Sequence, residues 1–503
     1  MKTNSANLSI IPAGVIKDIL HYTPGQILPA LCSIISVAVF TRLFSPAEYG
    51  LYVLVITAVL LAGNLTFDWI AFAVWRYFER YKIEQKLSVF LGTISTFVFL
   101  IFIITASISY IITIFLKITP KAGQVDHGYF IFLLRIGILL LGVQTGYTFV
   151  MLVLRVNRQS FKYGLYSSIK VAGSLTTAIF IFYFIARGVE SILWAAIIFI
   201  GGIFMVEIFQ FIKKWHLQFF PLSGEVLKKV VRFGGPHIGV LIGTWTLSLA
   251  DRYLIEYFMD TRAVGIYNAG YQLASFGLQI IYGILILTAV PIIVQTYEKN
   301  GPARAAHAIS SFVGIYLLFL VPAVAGIILL AKDVAYILLG ESFRSSFEIV
   351  PWISGGIFFL GLSQYLTVTF QLKEKPYSLA ALMLGTGFLN IMLNILLIPR
   401  WGIAGSAAAT FLSYLLCVLI TGLVNIKMFP VRFPWVTLVN ALVSSLIMYV
   451  FLRIMTAYWL GGISPLVLLW KIATGVVLYF GVLYLLREKT FRSLLAARRN
   501  KVE

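Results

Sequence analysis

Charged residues are scarce in this chain: of its 503 residues, 12% are charged and 60% are hydrophobic. A soluble domain carries about 25% charged residues. Half that share indicates that most of the surface faces lipid, and it argues against one or more soluble domains. Acidic residues are the scarcer kind, 19 against 39 Lys and Arg, which gives a net charge of +20.

The basic excess does not indicate a nucleic-acid partner. Lys and Arg occupy short gaps between apolar runs of about 20 or more residues, which is where loops on the cytoplasmic side of a membrane protein carry their charge. A nucleic-acid-binding domain would instead cluster these residues on a polar, soluble face. We therefore expect membrane lipids, and no nucleic acid, as partners.

Cysteine is also nearly absent, and Cys32 and Cys417 both lie inside apolar runs. Two such residues provide neither a disulfide framework nor a metal site. The sequence has no phosphate-binding loop of the GxxxxGK type and no HExxH pair. We accordingly expect no catalytic residues, no metal and no cofactor, and a protein that is not an enzyme.

Long apolar runs are what the chain does have. A helix needs about 20 apolar residues to cross a hydrocarbon core about 30 Å thick. About fourteen runs meet that requirement, which predicts an all-α polytopic membrane protein. They lie near 15–40, 51–74, 87–116, 129–154, 165–186, 190–212, 230–257, 264–295, 307–331, 348–371, 377–398, 402–426, 435–456 and 463–486.

The gaps between these runs predict the orientation. With the N-terminus in the cytoplasm, the loops on that side hold about 26 of the 39 basic residues, the asymmetry expected of cytoplasmic loops. Both termini are therefore predicted to be cytoplasmic. The longest gap, 213–229, is basic and amphipathic and is predicted to lie at the membrane surface.

Part of the sequence occurs twice, at an offset of about 215 residues. Gly50-Leu51-Tyr52 matches Gly265-Ile266-Tyr267, and in each copy a short polar turn precedes the motif. A unit of six spans present twice gives two parallel bundles, related by an axis along the membrane normal. The predicted domains are an N-terminal bundle at 1–212, the linker at 213–229, a C-terminal bundle at 230–426, an extra helix pair at 435–486 and a basic cytoplasmic tail at 487–503.

The stretches LFSPAEYGLYVL (43–54) and ADRYLIEYF (250–258), followed by VGIYNAGYQL (264–273), resemble signature stretches of the polysaccharide repeat-unit flippases. These Wzx-type proteins belong to the multidrug/oligosaccharidyl-lipid/polysaccharide (MOP) exporter superfamily. The resemblance implies a bacterial or archaeal cytoplasmic (inner) membrane protein that moves undecaprenyl-pyrophosphate-linked oligosaccharide by alternating access, for O-antigen, capsule or exopolysaccharide synthesis. It also implies a glycan polymerase and a chain-length regulator as partners in the same pathway.

Charged and titratable side chains inside the spans are the candidate site, because each costs at least about 2.5–3.5 kcal/mol near the bilayer centre and needs a partner or water. Four cations could meet the pyrophosphate: Arg42, Arg135, Lys170 and Arg252. Four other groups could line the cavity or bind a coupling proton or sodium ion: Asp68, His237, Asp251 and Glu256.

These residues also have plainer interpretations. The basic groups could extend to the membrane surface, and Arg252 could pair with Glu256 at i, i+4. His237 could be a hydrogen-bonded structural histidine. For Asp68, helical spacing places Ala71, Phe72 and Trp75 on the same face, and we expect them to border the same cavity.

Helix-breaking residues occupy matching places in spans one and seven, which indicates a hinge or a binding site. They are Pro24 and Gly25 in the first copy, and Gly234, Gly235 and Pro236 in the second. The alternative is a tolerated kink, since membrane helices accept proline.

Two other functions compete with the flippase. A cation-coupled multidrug exporter of the same superfamily usually has twelve spans, so the extra pair at 435–486 favours the flippase. A membrane glycan polymerase would carry a long outer loop, and no predicted outer loop here exceeds about 17 residues.

Overall fold

The computed structural model describes residues 31–118, 127–157, 159–215, 222–458 and 462–499. The predicted hinge residues Pro24 and Gly25 lie outside these ranges. Within them, all regular structure is helical. The helices are α1 (Leu31–Leu43), α2 (Pro46–Gly63), a π-helical turn (Asn64–Asp68), α3 (Trp69–Ile83), α4 (Leu87–Ile118), α5 (His127–Val156), α6 (Ser160–Phe184), α7 (Glu190–Trp215), α8 (Gly224–Leu249), α9 (Asp251–Phe258), α10 (Thr261–Leu338), a 3-10 helix (Glu341–Ile349), α11 (Val350–Leu372), α12 (Pro376–Met428), α13 (Trp435–Tyr458), α14 (Pro465–Leu485) and α15 (Lys489–Arg499).

These helices confirm a polytopic membrane protein with about fourteen spans. Ten helical segments of the described residues are long and apolar enough to cross a membrane. Two of them, α10 and α12, contain two spans each, joined at glycines with positive φ, Gly301 (79°) and Gly402 (56°). Pro302 begins the second span of α10, because its fixed φ suits the first turn of a helix. Two more spans bring the total to fourteen: α1, which is the described part of the first predicted span, and the pair α8–α9.

The chain folds into two compact units. The first contains the described residues up to Asn268, together with Pro376–Ser406. The second contains Ala269–Lys375 and the described residues from Ala407 onward. In the first unit, α8 and α9 pack with α3 and α2 of the first sequence repeat. The first span of α12 packs against α8 around Gly243. The units therefore follow packing and not the repeat boundary. The domain boundaries derived from the repeat therefore stay a prediction.

The predicted break at the start of the seventh span is wrong. Helix α8 runs without interruption from Gly224 to Leu249 with Pro236 inside it, and it is followed by α9 after Ala250, whose φ and ψ of −66° and −23° stay helical. A membrane helix tolerates an internal proline when neighbouring groups satisfy the freed carbonyl. Gly234, two residues before this proline, allows close packing against α3, since a Cβ at Gly234 would lie 2.6 Å from the carbonyl oxygen of Trp69. A hinge role for Gly234, Gly235 and Pro236 stays a prediction.

In the second unit, α13 and α14 pack against the second span of α10 around Leu318, Met448, Leu452 and Leu483. The Tyr479 hydroxyl in this cluster donates to the Leu318 carbonyl at 2.7 Å. The extra C-terminal pair is thus part of a packed core and not a loose addition.

Candidate functional site

The acid Asp68 is the last residue of the π-helical turn that joins α2 to α3. Its carboxylate does not cap α3 and has no recorded hydrogen bond or ion pair to any described residue, although the side chain is only partly exposed. A π turn inserted between α-helical segments is frequent at functional sites. The structure therefore leaves an acid within a span free to bind a ligand or a proton.

Two aromatic side chains follow Asp68 at the spacing of one helix face. That Ala71, Phe72 and Trp75 border the same cavity as Asp68 stays a prediction. Phe72 and Trp75 lie one and two turns further along α3 and are 38% and 51% exposed. The ring of His237 on α8 stacks on Phe72 with 4.1 Å between the ring centroids. The Nδ1 of His237 lies 3.2 Å from the carbonyl oxygen of Phe233 on its own helix. That bond fits the structural interpretation of His237, while the stacking connects α8 to the face that carries Asp68.

The Trp75 ring also contacts a cation. The guanidinium carbon of Arg155, near the end of α5, lies 4.8 Å from the centroid of Trp75 and 5.9 Å from that of Tyr163 on α6. Such contacts are worth about 0.5–1 kcal/mol when exposed and more when dry. They orient the guanidinium and leave its N–H donors available, because the structure records no hydrogen bond from Arg155 to the described residues.

A second cation–aromatic pair continues along the same helices. The ammonium of Lys170 on α6 lies 4.8 Å from the ring centroid of Tyr147 on α5. On α5, Tyr147 and Arg155 are about two turns apart on one face, and so are Tyr163 and Lys170 on α6. We call this set the cation–aromatic track: Asp68, Phe72, Trp75, Tyr147, Arg155, Tyr163 and Lys170. It holds two cations and one acid, alternating with rings.

Sequence reasoning missed Arg155. It placed the end of the fourth span at residue 154 and assigned Arg155 to a loop, whereas α5 continues to Val156. The sequence did hold a signal for Arg155: it follows Tyr147 by eight residues, or about two helical turns, which places both on one side of a continued helix. Glu207 on α7 was also missed; it is buried and receives bonds from Lys162 (3.2 Å) and from the hydroxyl of Tyr166. This group is internally compensated, which is typical of a structural acid.

Two of the predicted cations lie elsewhere in the first unit. Arg42 is exposed at the end of α1 and donates to the Ala38 carbonyl at 2.7 Å. Arg135 is exposed on α5, with its guanidinium carbon 5.5 Å from the ring centroid of Tyr110 on α4. Neither contacts a residue of the track through any recorded interaction.

The remaining predicted charges lie around the break between α8 and α9. Asp251 and Arg252 are each 1% exposed and form an ion pair at 2.5 Å. Arg252 also donates to the Ser248 carbonyl, and the hydroxyl of Tyr267 donates to Asp251 at 2.5 Å. Glu256 accepts a bond from Thr261 at 2.9 Å. A buried pair with further hydrogen bonds is electrically compensated, so the observed contacts are structural; a role for these residues with cargo or a coupling ion stays a prediction.

The two sequence repeats meet beside this ion pair. A Cβ on Gly50 of α2 would overlap the carbonyl oxygen of Thr261, and a Cβ on Gly265 of α10 would overlap the carbonyl oxygen of Pro46. Pro46 and Thr261 are 215 residues apart, as are Gly50 and Gly265, so the two contacts exchange under the repeat. We call this crossing of α2 and α10 the glycine junction.

The helix caps at the junction match as well. Ser45 caps α2 in a capping box with Glu48, and the Asp260 carboxylate accepts from the Ala263 amide at the start of α10, at 2.7 Å. These caps satisfy backbone N–H groups that the first turn of a helix leaves free. They set where the two crossing helices begin.

Metal binding is not indicated by the described part of the chain, in which no three His, Cys, Asp or Glu side chains are grouped so as to hold an ion.

Comparison with known proteins identifies the fold and the family. A protein of Haloferax volcanii described as a probable low-salt glycan biosynthesis flippase, Agl15, is 23% identical over 263 residues; the match covers 50% of this chain and 54% of that protein, so the chain spans about half the length of this relative. The structure of the lipid II flippase MurJ superposes with a TM-score of 0.73 at 16% identity, covering 95% of this chain and 99% of that one. A multidrug resistance MATE family transporter of the MOP superfamily superposes with a TM-score of 0.64 at 14% identity, covering 82% and 98%.

At these identities the structural likenesses show the fold alone, and it is the fold of the MOP superfamily, as the sequence resemblance implied. Residues 15–297 match the family described as polysaccharide biosynthesis protein. Because that match covers more than half of the chain, the protein belongs to the polysaccharide biosynthesis protein family.

Proposed function

We propose that this protein is a flippase that moves a lipid-linked oligosaccharide, joined to its lipid by a pyrophosphate, from the cytoplasmic to the outer leaflet of the cytoplasmic membrane. Both termini are cytoplasmic in this proposal, and transport occurs by alternating access without catalysis by the protein. A glycan polymerase and a chain-length regulator of the same pathway would receive the product.

The observation that carries the proposal is the cation–aromatic track. A pyrophosphate needs fixed cations, and charge-assisted bonds to phosphate are about twice as strong as neutral ones. Arg155 and Lys170 each have an aromatic ring on one side and leave N–H donors for a ligand. Rings such as Trp75 and Tyr147 offer flat surfaces for sugars. A track in which cations are separated by rings holds the head group in steps, so that it is never bound too tightly to leave.

The family and the named relatives support the same function. The matching family is one of polysaccharide biosynthesis, the Haloferax volcanii relative is described as a probable low-salt glycan biosynthesis flippase, and MurJ is described as a lipid II flippase. Two of these names describe a flippase and two describe the synthesis of a glycan or polysaccharide. The proposal extends both to this chain and takes a lipid-linked oligosaccharide as the cargo.

A cation-coupled drug exporter is the second candidate, and Asp68 is the observation that favours it. Exporters of cationic drugs need acids in the cavity, and Asp68 is an uncompensated acid within a span. The two functions make opposite predictions for the two cations: the flippase needs Arg155 and Lys170, whereas the exporter tolerates the loss of both.

The test is complementation of a strain that lacks this gene and has lost its surface polysaccharide. Losing one charge-assisted bond costs about 1.5–3 kcal/mol, so we expect Arg155→Ala and Lys170→Ala each to reduce surface polysaccharide about 10- to 100-fold. Arg155→Lys keeps the charge without the forked geometry and should lose less. Arg453→Ala is the matched control, since Arg453 is exposed on α13 in the other unit.

Immunoblots of the membrane fraction must show equal amounts of all variants. Full surface polysaccharide in the Arg155→Ala/Lys170→Ala double variant would contradict passage of a phosphate along the track. If that variant also exports cationic dyes in an Asp68-dependent way, the drug-exporter function is correct instead.

A further inference from the structure

The chain makes a defined turn between α14 and α15 in the second unit. Arg487 in this turn has a φ of 54°. Its amide donates to the Tyr484 carbonyl at 3.2 Å, and the Glu488 amide donates to the Leu483 carbonyl at 3.3 Å. This pair of bonds closes a helix end that is followed by a left-handed residue. The direction in which α15 leaves α14 is therefore fixed by the backbone.

Glu488, the residue before α15, fixes the helix against its neighbours. Its side chain is buried, and its two oxygens accept bonds from the Phe491 amide at 2.6 Å and from the Thr437 hydroxyl of α13 at 2.8 Å. The Phe491 ring stacks on Phe480 of α14 with 5.5 Å between the centroids, and Leu494 packs against the core cluster of α10, α13 and α14. Helix α15 is thus a docked helix and not a loose tail.

The opposite side of α15 is basic. Lys489 and Arg492 are exposed and lie about 60° apart around the helix, whereas Phe491 and Leu494 lie on the other side. Arg487 in the turn is exposed as well. Docking through the apolar side therefore presents three cations together on the outside of the unit.

The neighbouring helix ends extend this basic surface. A Cβ on Gly314 of α10 would lie 3.6 Å from Thr490 and 3.9 Å from Pro434, so α10, the start of α13 and the start of α15 meet here. The segments that meet are 302–314, 432–437 and 484–494. Glu488 is the only acidic residue in their sequences, and its oxygens are occupied by the bonds described above. We call the exposed cations Arg432, Arg487, Lys489 and Arg492 the basic collar.

Exposed aromatic and apolar side chains border the basic collar. Trp435 begins α13 and is 67% exposed, while Tyr484 and Leu485 end α14 and are 59% and 77% exposed. Trp and Tyr are enriched where a membrane meets water. Since these side chains lie on the same helix ends as the cations, the collar is at the level of lipid head groups. A soluble acidic partner would account for the cations and not for the exposed rings.

We propose that the basic collar binds the phosphate groups of anionic phospholipids and thereby holds the α13–α14 pair at a fixed depth in the bilayer. Arginine forms two parallel bonds to a phosphate, and an anionic membrane surface attracts Lys and Arg that lie near it. In the orientation proposed above, the lipids belong to the cytoplasmic leaflet. Binding itself depends neither on that orientation nor on the cargo.

The experiment is native mass spectrometry of the full chain in detergent, titrated separately with phosphatidylglycerol and phosphatidylcholine of identical acyl chains. We expect the wild-type chain to bind phosphatidylglycerol at least tenfold more tightly, and salt to reduce the difference. Each cation near an anionic surface contributes about 1 kcal/mol, or roughly fivefold. Lys489→Gln/Arg492→Gln should therefore weaken binding of phosphatidylglycerol about 25-fold.

The matched control is Lys332→Gln/Arg453→Gln. It removes two exposed cations of the same unit, each about 27 Å along its helix from the end that borders the collar. This variant should bind phosphatidylglycerol as the wild type does. Arg487→Gly is a second test that preserves the turn, because glycine adopts a positive φ readily. It should melt no lower than the wild type and bind phosphatidylglycerol about fivefold more weakly.

Melting temperatures in phosphatidylcholine micelles report whether each variant still folds. Equal binding of the two lipids by the wild-type chain would overturn the proposal, and so would wild-type binding by both Lys489→Gln/Arg492→Gln and Arg487→Gly. Displacement of phosphatidylglycerol by inorganic phosphate at equal concentration would also overturn it. If polyglutamate displaces the lipid at equal concentration of charge, the collar binds an acidic protein segment instead. Transport is not measured in this experiment, so its failure leaves the proposed flippase function untouched.

Discussion

The glycine junction allows a sharp prediction about Gly50→Ala. The added methyl would overlap the carbonyl oxygen of Thr261 and lie 3.0 Å from its Cγ2. The carbonyl belongs to the backbone and cannot rotate away, so α2 and α10 must separate by about an ångström to restore ordinary contact distances. Overpacking of this kind costs about 1–3 kcal/mol.

A matched control exists on the same helix. Gly63 ends α2 with no atom within 4 Å of a built Cβ, so Gly63→Ala keeps only the helix-propensity gain of about 0.5–1 kcal/mol. Gly50→Ala has the same gain and the overpacking cost, so the two variants should differ by about 1–3 kcal/mol. In a unit of this size 1 kcal/mol shifts the melting temperature by about 2–4 °C. Thermal melting in detergent should therefore place Gly50→Ala roughly 2–12 °C below Gly63→Ala.

The matching glycine extends the test. Gly265→Ala places its methyl on the carbonyl of Pro46 and should cost as much as Gly50→Ala, because the two contacts exchange under the repeat. The double variant should cost less than the sum, since one separation of the helices relieves both overlaps. If Gly50→Ala melts together with Gly63→Ala, or if the two costs simply add, the helices do not cross as described.

Two further predictions follow from charged groups within spans. Lys471 on α14 is 2% exposed and pairs at 2.6 Å with Asp333, whose side chain is 17% exposed. Lys471→Met should destabilise the protein by up to about 3–5 kcal/mol, because it leaves a mostly buried carboxylate without its partner. Asp333→Asn in the same chain should restore part of the melting temperature. A melting temperature unchanged by Lys471→Met would show that the pair is hydrated. Asp68→Asn should reduce transport while membrane levels stay normal, and wild-type transport would return Asp68 to a structural role.

The helical architecture was predictable because membrane spans are defined by length and apolarity. The breaks that divide α10 and α12 occur at Gly301, in the middle of a predicted gap, and at Gly402, the first residue of a predicted span. Whether a proline interrupts a helix was not predictable, because that depends on what packs beside it: Pro236 continues α8 where Gly234 contacts the Trp69 carbonyl. The π turn before α3 could not be predicted either, since its composition does not differ from that of an α-helix.

The candidate site was predictable only in part. Charges inside spans identified Asp68 and Lys170, and helical spacing placed Phe72 and Trp75 beside Asp68. The aromatic partners of the cations were not predictable, because they come from neighbouring helices whose rotation the sequence does not state. Arg155 was lost for a different reason: a span boundary uncertain by two residues decides whether an arginine belongs to a loop or to a helix face.

The internal repeat separates architecture from chemistry. Each contact of the glycine junction recurs at the offset of 215 residues. The glycine of α2 packs against the start of α10, and the glycine of α10 packs against the start of α2. The charged residues of the track have no such counterparts: at the same offset Asp68, Arg155 and Lys170 correspond to Gly283, Phe370 and Gly385. A duplicated charge would double the cost of placing ions in a span, and the proposed cargo, with one pyrophosphate, needs only one set of cations. The test begins with a variant in which Asp68 and Lys170 are neutralised and transport is lost. Adding Gly283→Asp and Gly385→Lys, which place the same charges in the second repeat, should not restore transport.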